Sequence, residues 1–414
     1  MDRALLIGLS LQQQATDVEA SLEELKQLAL ALNIETVDTV IQRTDRISPR
    51  YMIGSGKVKE IEALIAVHDI DIVIFDDTLS PAQLKNLEKA LNAVQIVDRS
   101  FLILSIFAKR ARTKEAVLEV SLAQKMYMLP RLVGMRDFLS RQGGGTYNAK
   151  GPGETKLELD RRKLLKDIQR IKASLKKIER DKAQARKKRI RNRVPVIALV
   201  GYTNAGKSSL MNALARTLKS DTAPVLEKDV LFATLDTKAK RLQKANHPPF
   251  ILIDTVGFIA KLPHELIRSF AATLKDVVDA DLILHVADGK DFSLSHIETT
   301  KGVLDSIGAG HIERILVLTK RDIAKETPDT KEDYLFVSNR TGENIDRVID
   351  AIYGHIYSDA RIHRLVIPFD QGQVYSEIRD HNTVLETKYE TEGISVRTVL
   401  TPEQAIRYRR YIVR

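Results

Sequence analysis

Gly201-Tyr202-Thr203-Asn204-Ala205-Gly206-Lys207-Ser208 carries the clearest chemistry in this chain. Two glycines framing four residues, followed at once by Lys and a hydroxyl, make a loop whose backbone N–H groups converge on phosphate oxygens. The apolar run Val196–Val200 precedes it and the helical pattern Ser209–Leu218 follows. That context places an anion at a helix N-terminus, where the dipole favours negative charge. Lys207 then reaches the β and γ phosphates, Ser208 ligates magnesium, and Gly201, Asn204, Ala205, Gly206 and Ser209 complete the cradle.

Three further groups decide which nucleotide fits. Asp254-Thr255-Val256-Gly257 follows the run Phe250–Ile253 and supplies a carboxylate for the magnesium shell and a glycine N–H for the γ phosphate. In Thr319-Lys320-Arg321-Asp322, Asp322 is placed to accept from guanine N1 and the exocyclic amine, a donor pair that adenine lacks. Ser338-Asn339-Arg340 closes the base pocket with a backbone N–H. All three stand at the ends of strand-like runs, which favours GTP over ATP. Gly54-Ser55-Gly56-Lys57 is a decoy: Tyr51 stands where the first glycine belongs and Val58 follows the lysine, so it reads as a loop that contacts RNA. His285, inside an apolar strand, reads as a core residue, and the sequence shows no metal-ligand cluster beyond magnesium on the nucleotide.

The elements that must position these residues form several domains, since 414 residues exceed one ordinary domain. Residues 1–108 alternate strand and helix patterns and predict an N-terminal α/β domain, with helices at Val18–Leu32, Val58–His68 and Pro81–Leu91. Residues 109–193 predict a long antiparallel helical hairpin around a Gly-rich loop. Its two stripes, Ala116, Val120, Ala123 and Tyr127 against Leu164, Ile168, Ile171, Leu175 and Ile178, are expected to bury each other. Residues 194–358 predict a doubly wound, parallel P-loop domain, and residues 359–414 a small C-terminal α+β domain with strands Leu365–Pro368 and Ile394–Leu400. The apolar runs Val194–Val200 and Phe101–Ala108 have strand length, too short to cross a membrane.

Charge is concentrated in one place. Lys156–Arg193 holds 17 Lys or Arg against 5 Asp or Glu, which exceeds the net +10 of the whole chain. Such a stripe is the footprint of a polyanion, and RNA fits better than a membrane surface because the apolar stripe is narrow and lacks interfacial aromatics. The absence of cysteine excludes disulfides and Cys-ligated metals and fits a cytoplasmic setting.

The nucleotide motifs resemble those of the TRAFAC-class translation-factor-like GTPases, and the wider chain resembles the HflX family of ribosome-associated GTPases. The carriers are Tyr51-Met52-Ile53-Gly54-Ser55-Gly56-Lys57, Phe75-Asp76-Asp77, Leu79-Ser80-Pro81-Ala82-Gln83, Leu129-Pro130-Arg131-Leu132, Gly151-Pro152-Gly153-Glu154-Thr155 and Phe232-Ala233-Thr234-Leu235-Asp236. The resemblance implies a GTP hydrolase in which Thr234 closes over the γ phosphate and joins Ser208 and Asp254 around magnesium, with Lys207, Gly257 and Asn204 as the remaining catalytic group. It further implies a monomer that binds the 50S subunit, the 70S ribosome and ribosomal RNA, not DNA or membrane. Its hairpin would enter near the peptidyl-transferase centre and act in ribosome splitting, rescue or subunit maturation. An RNA-remodelling NTPase and a ribosome-sequestering module with regulatory GTP are the competing readings. Three departures stand out: Thr319 where the family has Asn, Asn339 where it has Ala, and Thr146-Tyr147-Asn148-Ala149-Lys150 in the glycine loop. Phe258 follows the DxxG motif where many GTPases place a water-orienting Gln, so intrinsic hydrolysis is expected to be slow, with Asn204 and a potassium ion supplying part of the missing charge.

Overall fold

The computed structural model describes residues 1–11, 18–91, 94–134, 152–192, 194–219, 238–245, 247–261 and 276–413. The chain divides into two compact units: the first holds the described residues up to Arg180 with Ala260 and Lys261, the second the other described residues.

A four-stranded parallel sheet, ordered β2-β1-β3-β4, forms the floor of the first unit. Its strands are β1 (Asp2–Leu11), β2 (Ile34–Thr44), β3 (Ile72–Phe75) and β4 (Gln95–Asp98). Helices α1 (Val18–Ala31), α2 (Ser55–His68), α3 (Pro81–Ala90) and α4 (Arg99–Arg110) complete the α/β layer. The start of α3 has a local cause: Ser80 Oγ accepts from the Gln83 N–H at 3.2 Å, and Gln83 Oε1 accepts from the Ser80 N–H at 2.9 Å. Pro81, which has no N–H to satisfy, occupies the first helical position.

The apolar run Phe101–Ala108 is not a strand; it lies within α4. Asp98 ends β4 and caps that helix by accepting from the Phe101 N–H at 2.9 Å, and Leu102, Ile103, Leu104, Ile106 and Phe107 are all buried. A helix buried nearly all round reads in sequence like a buried strand. Gly54-Ser55-Gly56-Lys57 likewise is not a loop throughout, because Ser55 already opens α2 and Lys57 pairs with Glu60 at 2.8 Å.

Two buried carboxylates hold this unit together. Asp98, besides capping α4, accepts from the Leu79 N–H at 3.0 Å, Tyr127 Oη at 2.8 Å and Arg131 Nη2 at 3.1 Å. Asp76 accepts from Arg99 Nη1 and Ser21 Oγ, both at 2.7 Å, and pairs with Lys261. Arg99 is itself only 1% exposed and also pairs with Glu24. Burial by itself raises the pKa of Asp76, but the Arg99 and Lys261 charges outweigh it and hold the carboxyl below 3.8.

The helices α5 (Lys114–Gly134) and α6 (Pro152–Asn192) form the hairpin, with one correction to its packing. The stripe facing α6 is Leu118, Leu122, Met126 and Leu129, which clusters with Leu164, Ile168, Ile171 and Leu175, and Lys125 pairs with Asp167 at 3.0 Å. The other stripe turns toward α4: Ala116, Val120 and Ala123 are buried, and the Tyr127 ring meets Phe101 at 6.0 Å. α5 therefore has two apolar faces, and the stripe expected to meet α6 meets α4 instead.

The second unit contains a six-stranded sheet ordered β10-β9-β8-β5-β7-β6. Its strands are β5 (Val196–Val200), β6 (Lys238–Leu242), β7 (Phe250–Asp254), β8 (Leu282–Asp288), β9 (Arg314–Thr319) and β10 (Tyr334–Phe336). All pair in parallel except β6, which runs antiparallel to β7. The central strands are buried on both faces, as continuous Val, Ile and Leu runs require. Helices α7 (Lys207–Thr217), α8 (Leu294–Ser306) and α9 (Ile345–Ile356) belong to the same layer arrangement. The C-terminal part adds an antiparallel sheet, β12-β13-β11-β14, from β11 (Arg361–Ile367), β12 (Thr383–Glu390), β13 (Gly393–Leu400) and β14 (Ile412–Val413). Among the described residues no helix is long and apolar enough to cross a membrane.

Replacing Asp76 by Asn leaves Arg99 with Glu24 as its remaining charge partner and is expected to destabilise the protein by about 3 kcal/mol at pH 7. Because the folded pKa is depressed, the contribution of Asp76 is fully present above the unfolded value and is lost as pH falls through the lower folded one. Urea unfolding of both proteins at pH 7 and pH 3 should show the gap narrowing in acid.

Candidate functional site

The phosphate loop is shaped by what surrounds it. Gly201 leaves β5 at φ +152°, and a Cβ there would lie 2.0 Å from the Val286 carbonyl oxygen, so only glycine fits. Asn204 is exposed at φ 60°, and Gly206 turns the chain at φ +86° into α7. Lys207 is 7% exposed, its ammonium donating to the carbonyls of Gly201 at 3.0 Å and Tyr202 at 2.7 Å. Burial pushes its pKa down to about 8, with Asp254 opposing. Ala205 is buried, and Ser208 and Ser209 follow, both half-buried, in the first turn of α7.

Asp254 ends β7 directly opposite. Ser208 Oγ donates to its Oδ2 at 2.6 Å, while Oδ1 is buried without a hydrogen-bond partner. Burial raises the pKa of this carboxyl, against the Ser208 hydrogen bond and the Lys207 and Lys238 charges. A hydroxyl and an incompletely satisfied carboxylate are the hard oxygen donors that magnesium prefers, so Ser208 and Asp254 fit that ion. Thr234, the third expected ligand, and the glycine-loop residues 146–150 lie outside the described residues.

The DxxG segment is laced to the phosphate loop through backbone bonds. The Thr203 N–H donates to the Phe258 carbonyl at 2.7 Å and the Phe258 N–H to the Gly201 carbonyl at 3.0 Å. Gly257 passes so close that a Cβ would lie 2.8 Å from Thr203 Cα and 2.9 Å from Lys207 Nζ. The Phe258 ring is buried.

The residues expected to read the base come from the ends of β9 and β10. Thr319, fully buried, donates its hydroxyl to the Ala205 carbonyl of the phosphate loop at 2.8 Å. Lys320, at φ 61°, pairs with Asp288 at 2.6 Å. Ser338 Oγ donates to Asp322 Oδ1 at 2.7 Å and orients that carboxylate. Asn339 Nδ2 donates to the Gly206 carbonyl at 3.1 Å, a side-chain role that the sequence reading did not give it. Arg340 is exposed.

Sequence reasoning missed two neighbours of the loop. The Tyr202 ring stacks on His296 with centroids 3.8 Å apart, and Arg216 Nη2 donates to the Asn339 carbonyl at 2.8 Å. Both depend on helices folding back, and no local spacing announces them. His285, pushed down to about 4 chiefly by burial, is a neutral core residue.

A phosphate loop between parallel strands, a carboxylate at the next strand end and an Asp-based base pocket together define a P-loop GTPase. The comparisons with known proteins carry this further. Residues 19–108 match the family described as GTP-binding GTPase N-terminal, 110–189 the GTP-binding GTPase middle region, and 196–320 the 50S ribosome-binding GTPase. GTPase HflX of Caldanaerobacter subterraneus subsp. tengcongensis is 39% identical over 413 residues, covering 100% of this chain and 94% of the relative. GTPase HflX of Escherichia coli K12 is 36% identical over 400 residues, covering 95% and 92%. A GTP-binding protein from the archaeon Sulfolobus solfataricus in complex with GDP aligns with a TM-score of 0.43 at 21% identity, over 86% of this chain and 99% of that one. The chain belongs to the HflX family of GTPases, and it is a GTP hydrolase.

Gly257→Ala is expected to push the DxxG segment off the phosphate loop and to lower GTP turnover by about a hundredfold, the penalty for roughly 1 Å of misplacement at a reacting group. GDP affinity, measured by fluorescence titration, should stay nearly unchanged.

Proposed function

We propose that this GTPase binds the ribosome, as the large subunit or the 70S particle, in a nucleotide-dependent way. The observation that carries the reading is the exposed cationic face of α6, where Arg161, Lys163, Lys166, Arg170, Lys172, Lys176, Lys177 and Arg180 face solvent. So many exposed cations along a 41-residue helix suit an extended polyanion such as RNA rather than a small ligand. The match of residues 196–320 to the 50S ribosome-binding GTPase family supports the same partner. The outcome of binding is splitting or rescue of stalled or idle ribosomes, or subunit maturation.

In the reaction, Lys207 and the N–H groups of the phosphate loop would hold the β and γ phosphates, and Ser208 and Asp254 would hold magnesium, with Thr234 as a third ligand. Magnesium supplies charge neutralisation on the phosphate oxygens. Gly257 offers its N–H to the γ phosphate. The Phe258 ring cannot orient water, so hydrolysis is slow until the ribosome contributes a group. Asn204, exposed at the rim of the loop, would help hold a potassium ion, which would supply further positive charge there.

Cosedimentation of the full chain with purified 50S subunits and 70S particles tests the partner. A non-hydrolysable GTP analogue should retain more protein than GDP does, and raising salt should release it steeply. Sedimentation that is absent, or equal in every nucleotide state, contradicts the proposal. ATP displacing GTP from the site would favour an RNA-remodelling NTPase, and full action by Ser208→Asn would favour a sequestering module. For Asn204, turnover should be faster in potassium than in sodium buffer; equal rates remove the potassium assignment.

A further inference from the structure

We propose that the Asn339 side chain reads guanine at N7, supplying an amide donor that Thr319 cannot. The proposal rests on the assignment of Thr319–Asp322 and Ser338–Arg340 to the base pocket. A threonine hydroxyl has one hydrogen, and that of Thr319 is committed to the phosphate loop, 2.8 Å from the Ala205 carbonyl and 3.3 Å from that of Ala287. Thr319 has no donor left for a base. The Asn339 amide has two hydrogens, one of which goes to the Gly206 carbonyl at 3.1 Å. That bond also fixes which end of the amide is nitrogen. The second hydrogen is not used in that bond and remains available to an acceptor.

Thr319 and Asn339 act at one spot. They bond to the successive carbonyls of Ala205 and Gly206, and a Cβ built on Gly206 would lie 3.1 Å from both Asn339 Nδ2 and Thr319 Oγ1. The backbone of Asn339 is fixed by Arg216, and its neighbour Ser338 holds the Asp322 carboxylate. Around the guanine edge the N2 and N1 donors are followed by two adjacent acceptors, O6 and N7. With Asp322 on the donors, the residue whose backbone N–H faces O6 is Asn339, and the next acceptor along the edge falls to the second hydrogen of its own amide. The two departures from the family pattern are then one exchange: the amide absent at 319 is provided from 339.

The test is competition against a fluorescent guanine nucleotide on the full chain, comparing GTP with 7-deaza-GTP, in which a C–H replaces N7. The wild-type protein should prefer GTP by about 2- to 12-fold, the range of one neutral hydrogen bond. Asn339→Ala should bind both more weakly and without preference, and Thr319→Asn combined with Asn339→Ala should regain the preference. A wild-type protein that binds 7-deaza-GTP as tightly as GTP, while still rejecting ATP, overturns the assignment of Asn339 and leaves the guanine pocket standing. So does a double variant that discriminates no better than Asn339→Ala. Equal binding of ATP and GTP instead removes the pocket assignment on which the proposal rests. The wild-type comparison needs no variant to fold.

Discussion

A buried ammonium sets the terms for the second unit. Lys207 sits against two backbone carbonyls with almost no access to water, and burial has brought its pKa down to about 8. A cation held this way interacts far more strongly with an incoming phosphate than it would in water, because the local dielectric is low. The surrounding architecture keeps it there. Gly201 lets the loop pass beneath Val286, the DxxG segment closes one side, and Thr319 and Asn339 hold the loop's last two carbonyls from the other. The residues proposed to hold phosphate and those proposed to read the base are thus tied to the same short stretch of backbone.

The first unit uses buried charge differently. Asp76 and Asp98 each collect partners from several elements and serve as joints of the fold. This explains why family resemblance was carried by Phe75-Asp76-Asp77, Leu79-Ser80-Pro81-Ala82-Gln83 and Leu129-Pro130-Arg131-Leu132. The middle segment is a helix cap, and the other two supply the carboxylate for Arg99 and the arginine for Asp98. Arg131, its guanidinium 3.3 Å from the centroid of the Tyr127 ring on the same helix, donates to Asp98 and to the Leu79 carbonyl at 2.9 Å, and these two bonds fix the end of α5 against the sheet layer.

The nucleotide motifs could be placed on the fold from sequence because each is contiguous and each stands at the end of an apolar run. Where meaning depended on a distant partner, reading failed. Asn339 reaches Gly206 across 133 residues, and nothing near position 339 reveals it. β6 was missed because its sequence, Lys-Ala-Lys-Arg-Leu, has no strand-like alternation of apolar residues; it is an edge strand whose Lys240 is buried beside Asn212. β12 was missed for the same reason, being half polar at a sheet edge. On α5 both helical faces are apolar, so spacing could identify a helix but not which stripe meets which neighbour. In α4 the period was hidden by burial on nearly every side.

Everything described for the second unit requires that the pocket built around Lys207 hold a guanine nucleotide. Calorimetric titration of the purified chain and of Lys207→Ala with GTP and ATP in magnesium buffer tests it most directly. The wild-type protein should bind GTP at least about a hundredfold more tightly than ATP, as a buried hydrogen-bonded pocket allows, and Lys207→Ala should lose most of its affinity for GTP. Similar affinities for the two nucleotides, or a Lys207→Ala protein that binds GTP as the wild type does, would contradict it.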